Sequence, residues 1–206
     1  MNASSRKNAI PGLNAASSRK NSFVSFALLS KHATSGALSK TKTACFTGHR
    51  EYHLPTIEVK RRLSKLLDHL ISRGIVYYGC GGAWGFDLLA AETVIEKKQM
   101  NPNVKLILVL PCRDQDKWWH PEHQDTYAYI KTHADKIVYT AETYSKGCMH
   151  RRNRHLVDCS NYCIALLEKH QGGTYYTFNY AMQHGLEVYN LADSNWSKTI
   201  EEDQHS

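Results

Sequence analysis

Residues 75–92 read Ile-Val-Tyr-Tyr-Gly-Cys-Gly-Gly-Ala-Trp-Gly-Phe-Asp-Leu-Leu-Ala-Ala-Glu. A short run of β-branched and aromatic residues, Ile75 to Gly79, gives way to a turn with four glycines between Gly79 and Gly85. Helix-forming sequence rich in Leu and Ala follows. Strand, glycine turn and helix in this order form the repeating unit of an α/β fold with a parallel sheet.

Working outward from this unit, the same alternation recurs. The pattern predicts strands at 44–47, 75–79, 104–110, 136–140, 162–167 and 187–191. Leu63, Leu66, Leu67 and Leu70 repeat at i, i+3, i+4 and i+7, with Pro55 and Thr56 near the start and Gly74 just past the end, so one amphipathic crossover helix joins the first two strands. Further helices fit 85–98, 121–134 (opened by Pro121), 149–159 and 174–184. The expected architecture is a Rossmann-like, doubly wound, mostly parallel sheet of about six strands with helices on both faces, occupying residues 44–193.

Of the 206 residues, 42% are hydrophobic and 22% charged, which excludes a collagen-like or mostly disordered chain. The formal charge of +7 is unevenly spread. Residues 1–43 hold seven Lys/Arg and no acid, while the other 19 Lys/Arg balance the 19 Asp/Glu, all of which lie from Ala44 on. A net-neutral folded part lacks the overall field that draws nucleic acid, so nucleic acid is not an expected partner and any basic site must be local.

The segment 1–43, with its near-repeat Asn2–Asn8 and Asn14–Asn21, has too little apolar area to offset ordering entropy and reads as a disordered Ser/Lys-rich leader. A targeting segment, with Phe23–Leu29 as a minimal apolar core, is the alternative. Residues 194–206 read as a polar tail. The longest later apolar run, Leu106–Leu110, is too short for a membrane span. The six cysteines include no Cys-x-x-Cys pair and read as reduced thiols of a cytoplasmic protein. His120-Pro-Glu-His123 lacks further ligands at helical spacing, so no metal is expected.

In open parallel sheets, ligands gather beyond the carboxyl ends of the strands. The unusual residues of this chain fall there: Thr47-Gly48-His49-Arg50 after the first strand, the glycine turn with Gly81, Gly82, Gly85 and Asp87 after the second, and Trp118-Trp119 in the loop after the third. The run His150-Arg-Arg-Asn-Arg-His155, containing Arg152 and Arg154, follows the fourth strand, and Gly172-Gly173-Thr174 the fifth. Glycines let backbone amides approach an anion, and each following helix adds its positive end. The spacing matches neither the dinucleotide fingerprint nor a P-loop, so a generic phosphate or ribose site remains. Asp87 either holds ribose hydroxyls or caps its helix. Arginines at a helix start oppose the macrodipole and invite a phosphate; a solvated basic face is the other reading. One tryptophan stacks on a base, or the pair serves as a packing plug or homo-oligomer contact.

The segments CFTGHR (45–50), GGAWGFDLLAAE (81–92), LPCRDQDKWW (110–119), YSKGCMHRRNRHLVDCS (144–160) and GGTYYTFNYA (172–181) together resemble the YpsA-like family of the SLOG superfamily, whose relatives include DprA/Smf and LOG-type proteins. That resemblance implies a Rossmann-like domain binding a nucleotide or nucleotide-derived, ADP-ribose-like ligand, with no cofactor required. It places Gly82, Gly85 and Asp87 first among candidate ligand residues. It leaves a LOG-like nucleotide N-glycosidase, or single-stranded DNA binding in the manner of DprA/Smf, as alternatives. LOG-type enzymes carry carboxylates after the last glycine turn, where this chain has Tyr175, Tyr176 and Thr177, leaving Asp87 or Glu92 to supply the acid such hydrolysis needs. The expectation is therefore a sensor or binding module for a small phosphorylated nucleoside, with turnover left open.

Overall fold

The computed structural model describes residues 39–198 and residue 200. The readings for residues 1–38 and 201–206 lie outside the described residues. Six strands alternate with five connecting helices: β1 (Thr43–Gly48), α1 (Thr56–Ser72), β2 (Tyr77–Cys80), α2 (Phe86–Met100), β3 (Lys105–Leu110), α3 (Pro121–His133), β4 (Lys136–Tyr139), α4 (Cys148–Asp158), β5 (Tyr162–Leu166), α5 (Gly172–Gln183) and β6 (Glu187–Asn190). All neighbouring strands run parallel, in the order β4-β3-β2-β1-β5-β6. This is the expected Rossmann-like architecture.

Strand alternation decides which helices cover which face. Phe46, Leu106, Leu108 and Leu110 point into a core shared with the leucines of α1 and the apolar faces of α2 and α3. Leu63, Leu66, Leu67 and Leu70 are each fully buried there, contributing about 1.5–3 kcal/mol apiece. On the opposite face Cys45, Val109 and Cys163 meet Leu156 and Val157 of α4 and Ala181 of α5. The chain winds outward from β1 to β4, returns through α4, and continues from β5 to β6. The topological switch point therefore lies between β1 and β5, whose carboxyl ends diverge toward different loops.

Local chemistry sets the element ends. Gly74, at φ 82°, takes the left-handed position after α1, and Ile75 N–H returns to Leu70 C=O. Val76 and Tyr77 N–H both bond Lys42 C=O, so β2 starts two residues later than the β-propensity of Ile75 and Val76 predicts. Pro121 opens α3 at a position where its missing N–H costs nothing.

The fold is slightly wider than residues 44–193. Thr43 belongs to β1, and its hydroxyl bonds Ser39 C=O at 2.6 Å. Beyond 193, Trp196 packs beneath Arg61, Arg62 and Lys65 of α1, and Ile200 is buried. The first part of the expected polar tail is thus packed chain, anchored by Arg62 Nη1 donating to Leu191 and Asp193 C=O. The six cysteines are free; five are buried and Cys159 is exposed. Among the described residues no helix is long and apolar enough to cross a membrane.

Candidate functional site

A cavity of about 380 Å³ opens at the switch point, over the carboxyl ends of β1 and β5. Its first wall is the loop after β1. His49 N–H bonds Leu166 C=O across to β5, and the His49 ring accepts at Nε2 from Lys169 N–H at 3.1 Å. Burial lowers the His49 pKa below its ordinary value, against the pull of Glu168. An Nε2 that accepts leaves the ring proton on Nδ1. Next to it, Arg50 is exposed, its guanidinium carbon 5.4 Å from the centre of the Trp84 ring, which stacks on His123. Glu168 pins the far end of this loop, accepting from His53 and Leu54 N–H at 2.7 and 2.9 Å and from the His53 ring at 2.8 Å.

The glycine turn after β2 is used differently from the sequence expectation. A Cβ on Gly81 would run into the Arg152 guanidinium, and one on Gly85, which has φ 90°, would run into the backbone of Arg50. Gly82 sits against Leu110 and Tyr127, while its carbonyl takes a hydrogen bond from Gln115 at 3.0 Å. These three glycines let neighbouring loops close on one another, and none of the three lines the cavity. The turn backs the cavity through Ala83 and Asp87, which line it.

What it brings forward is Asp87. This buried carboxylate lies in the first turn of α2, accepts from Ala83 N–H at 3.2 Å, and stands 3.9 Å from Arg152 Nη1. Burial pushes the Asp87 pKa above its usual range, and Arg152, Ala83 N–H and Arg50 oppose the shift without cancelling it. Asp87 does not cap its helix, since Gly85 holds that position and no side chain caps it.

Arg152, also buried, reaches from α4 to Gly81 C=O and donates through Nε to Asn153 Oδ1 at 2.7 Å. Asn153 donates to Thr177 Oγ1 at 2.7 Å, and Thr177 donates to Gly173 C=O at 2.8 Å. A hydrogen-bond relay therefore ties the β2–α2 turn, α4 and the start of α5 into one rim. The two ends of the relay belong to the glycine turns singled out in the sequence.

The start of α5 is the open wall. Gly172 has φ 77° and empty space where a Cβ would stand, and Gly173 is nearly as free. The helix has no side-chain N-cap bond and no acid in its first turn. Its first N–H groups and the Thr174 side chain are what a ligand would meet.

Of the residues singled out in the sequence, Thr47, Gly48, Arg50, Asp87, Arg152, Gly172, Gly173 and Thr174 line this one cavity. Arg154 does not join them; it lines a separate hollow with Arg151 and His155. Trp118 is 86% exposed in the loop after β3 and away from the cavity, whereas Trp119 packs on Tyr127 as a plug. Glu92 lies partway along α2, outside the lining. The cavity wall also includes Met149, Asn153 and Gln171, absent from the sequence candidates, together with His49. His49 and Asn153 were legible, lying between Gly48 and Arg50 and between Arg152 and Arg154; Gln171 carried no local signal.

A Rossmann-like sheet with a cavity at its switch point defines the class. The model of the YspA SLOG family, YpsA, matches residues 44–193, and the chain belongs to that family. The SPbeta prophage-derived protein YoqJ of Bacillus subtilis is 28% identical over 138 residues, covering 61% of this chain and 81% of its own. A UPF0398 protein of Bacillus pumilus is 26% identical over 143 residues, covering 65% and 77%. Among solved structures, DNA processing protein A (DprA) of Streptococcus pneumoniae superposes with a TM-score of 0.56 at 19% identity, covering 80% of this chain and 58% of its own. The Helicobacter pylori DprA, described for its single-stranded DNA binding mode, gives 0.55 at 19%, covering 84% and 77%. At these identities the structural likeness establishes the fold.

Proposed function

We propose that the cavity binds a nucleotide or nucleotide-derived ligand of the ADP-ribose kind, as a sensing or binding module. The observation that carries this reading is the uncapped α5 start, Gly172-Gly173-Thr174, facing Arg50 and the Asp87–Arg152 pair across one cavity. A phosphate fits the α5 N–H groups, where the helix dipole favours an anion, and Arg50 has no ion-pair partner among the described residues. In this reading Asp87 accepts from sugar hydroxyls. A volume of about 380 Å³ lies within the range of small-molecule pockets.

Asp87 is the single carboxylate in the lining, and it already stands beside Arg152. This favours binding over LOG-like N-glycosidic hydrolysis. Thermal unfolding with nucleoside monophosphates and ADP-ribose tests the reading. A bound ligand at about 100 times its Kd adds about 2.7 kcal/mol of stability, and Arg50→Ala should remove most of that gain. No shift with any of these compounds overturns the reading. Free base released above the blank, measured by chromatography, moves the protein to the hydrolase class.

A further inference from the structure

We infer that the protein has a second anion site, on the outer flank of α4, for a compact oxyanion of the pyrophosphate kind carrying two or more negative charges. The site is a hollow of about 370 Å³ where α4 meets Thr140 at the end of β4 and Tyr180 of α5. Arg151, Arg154, His155 and Asp158 line it from α4, at the i, i+3, i+4 and i+7 spacing of one helix face. The hollow shares no lining residue with the switch-point cavity, which Arg152 and Asn153 of the same helix line. The inference therefore stands apart from the nucleotide reading of that cavity.

The arginines of this fold sort by their partners. Arg61 and Arg62 meet Glu58, Arg73 meets Glu187, Arg113 meets Glu142, and buried Arg152 stands by Asp87. Arg50, Arg151 and Arg154 make no ion pair among the described residues, and each of them lines a hollow. Like charges three residues apart on one helix repel, and no nearby acid relieves this pair. The first turn of α4 has none. Asp158 has the i+4 spacing from Arg154 that favours an ion pair, yet its carboxylate accepts from Tyr180 OH at 3.1 Å. Arg151 is held in place by donating through Nη2 to the Ser145 hydroxyl at 2.7 Å, which leaves its other N–H groups open. Burial lowers the His155 pKa below its ordinary value, so its ring is neutral at pH 7 and the lining holds two cations against one carboxylate. A singly charged anion gains little from that balance at an exposed site. An anion with two charged groups engages both guanidinium forks at once. The adjoining hollow on α5, lined by Gly172, three tyrosines, Asn179 and Gln183, carries no cation. The positive strip ends at Tyr180, which suits a compact ion rather than an extended chain.

The test is calorimetric titration of the full-length chain with inorganic pyrophosphate, at an ionic strength held constant with sodium chloride. Arg50→Ala, which takes the unpaired cation from the cavity, should keep a pyrophosphate site. Adding R151A/R154A to that variant should weaken the site by at least about tenfold. Both arginines are exposed, so their removal leaves the core as it is. R6A/K7A, which deletes two charges outside the described residues, should change the affinity by less than about twofold, since charges beyond a Debye length are screened. Acetate should bind at least about tenfold more weakly than pyrophosphate. No binding of pyrophosphate to the wild type, an unchanged affinity in the triple variant, equal weakening by R6A/K7A, or equal binding of acetate each overturns the second site. Loss of all pyrophosphate binding in Arg50→Ala alone also overturns it, and places the ion in the switch-point cavity instead.

Discussion

The Arg152 guanidinium donates to the carbonyl oxygen of Gly81, crossing from α4 to the turn after β2 on the far side of the switch point. Only glycine fits at 81, because a Cβ there would occupy the space of the guanidinium. The same Arg152 faces Asp87 in a site where neither side chain is more than 8% exposed. Structure and charge at the centre of the site therefore depend on one side chain.

Arg152→Ala should destabilise the fold by about 3–5 kcal/mol, because it strands a buried carboxylate and removes the partner of Gly81 C=O. Adding Asp87→Asn to that variant should recover part of the loss, since the stranded charge disappears. Urea midpoints of wild type, both single variants and the double variant check this. Simple additivity of the two losses would show that the side chains do not act as a pair.

The two glycine turns should respond differently to alanine. Gly81→Ala forces Arg152 to move, at a cost of about 1–3 kcal/mol in stability. Gly172→Ala meets empty space and carries only the strain of a left-handed residue, about 1–2 kcal/mol. Ligand-dependent melting should fall in Gly172→Ala as the Cβ enters the anion's approach. Gly82 and Gly85 are packing glycines with positive φ, so substitutions there should also register in stability first.

Much of this was legible in the sequence. Each strand and helix announces itself by its own period, and the rule that ligands gather at the carboxyl rim placed Thr47, Arg50, Asp87 and Gly173 together. The role of the 79–87 turn was not legible. Glycine density signals close approach but not by what, and at Gly81 and Gly85 the approaching groups are Arg152 and the Arg50 backbone, remote in sequence. Arg152 and Arg154 look alike in sequence, yet two positions on a helix are about 200° apart, so one turns into the cavity and the other to solvent. Trp118 and Trp119 are adjacent in a turn, and there one is exposed while the other packs on Tyr127. Trp196 and Ile200 were hidden in a polar segment of which they are the two apolar residues, the first packed against α1 and the second buried.

Glu168 ties residues 53–54 to the end of β5, and its titration should appear in acid stability. Burial alone would raise its pKa, but the N–H groups of Leu54 and His53 and the His53 ring outweigh that and lower it below the ordinary value of 4.5. A carboxylate with a depressed folded pKa contributes stability that is present above the unfolded pKa and lost as pH falls through the folded one. Glu168→Gln should therefore cost about 1–3 kcal/mol at pH 7, with a smaller difference from wild type as pH falls below about 4. A difference that stays constant into strong acid would mean the loop does not depend on the charge.

His49 gives a second pH signature, opposite in chemistry and local to the cavity. Burial lowers its pKa below 6.5, so the folded state disfavours the imidazolium and the His49 contribution to stability weakens as pH falls below the unfolded value. The Nε2 acceptor bond to Lys169 N–H has to break when that nitrogen is protonated. An anion seated at the start of α5 favours the protonated ring and should raise the His49 pKa, with uptake of part of a proton on binding. Histidine C–H resonances followed over pH, with and without nucleoside monophosphate, check both statements. A His49 pKa that is already normal in the free protein would contradict the burial, and one that ligand leaves unmoved would place the phosphate elsewhere.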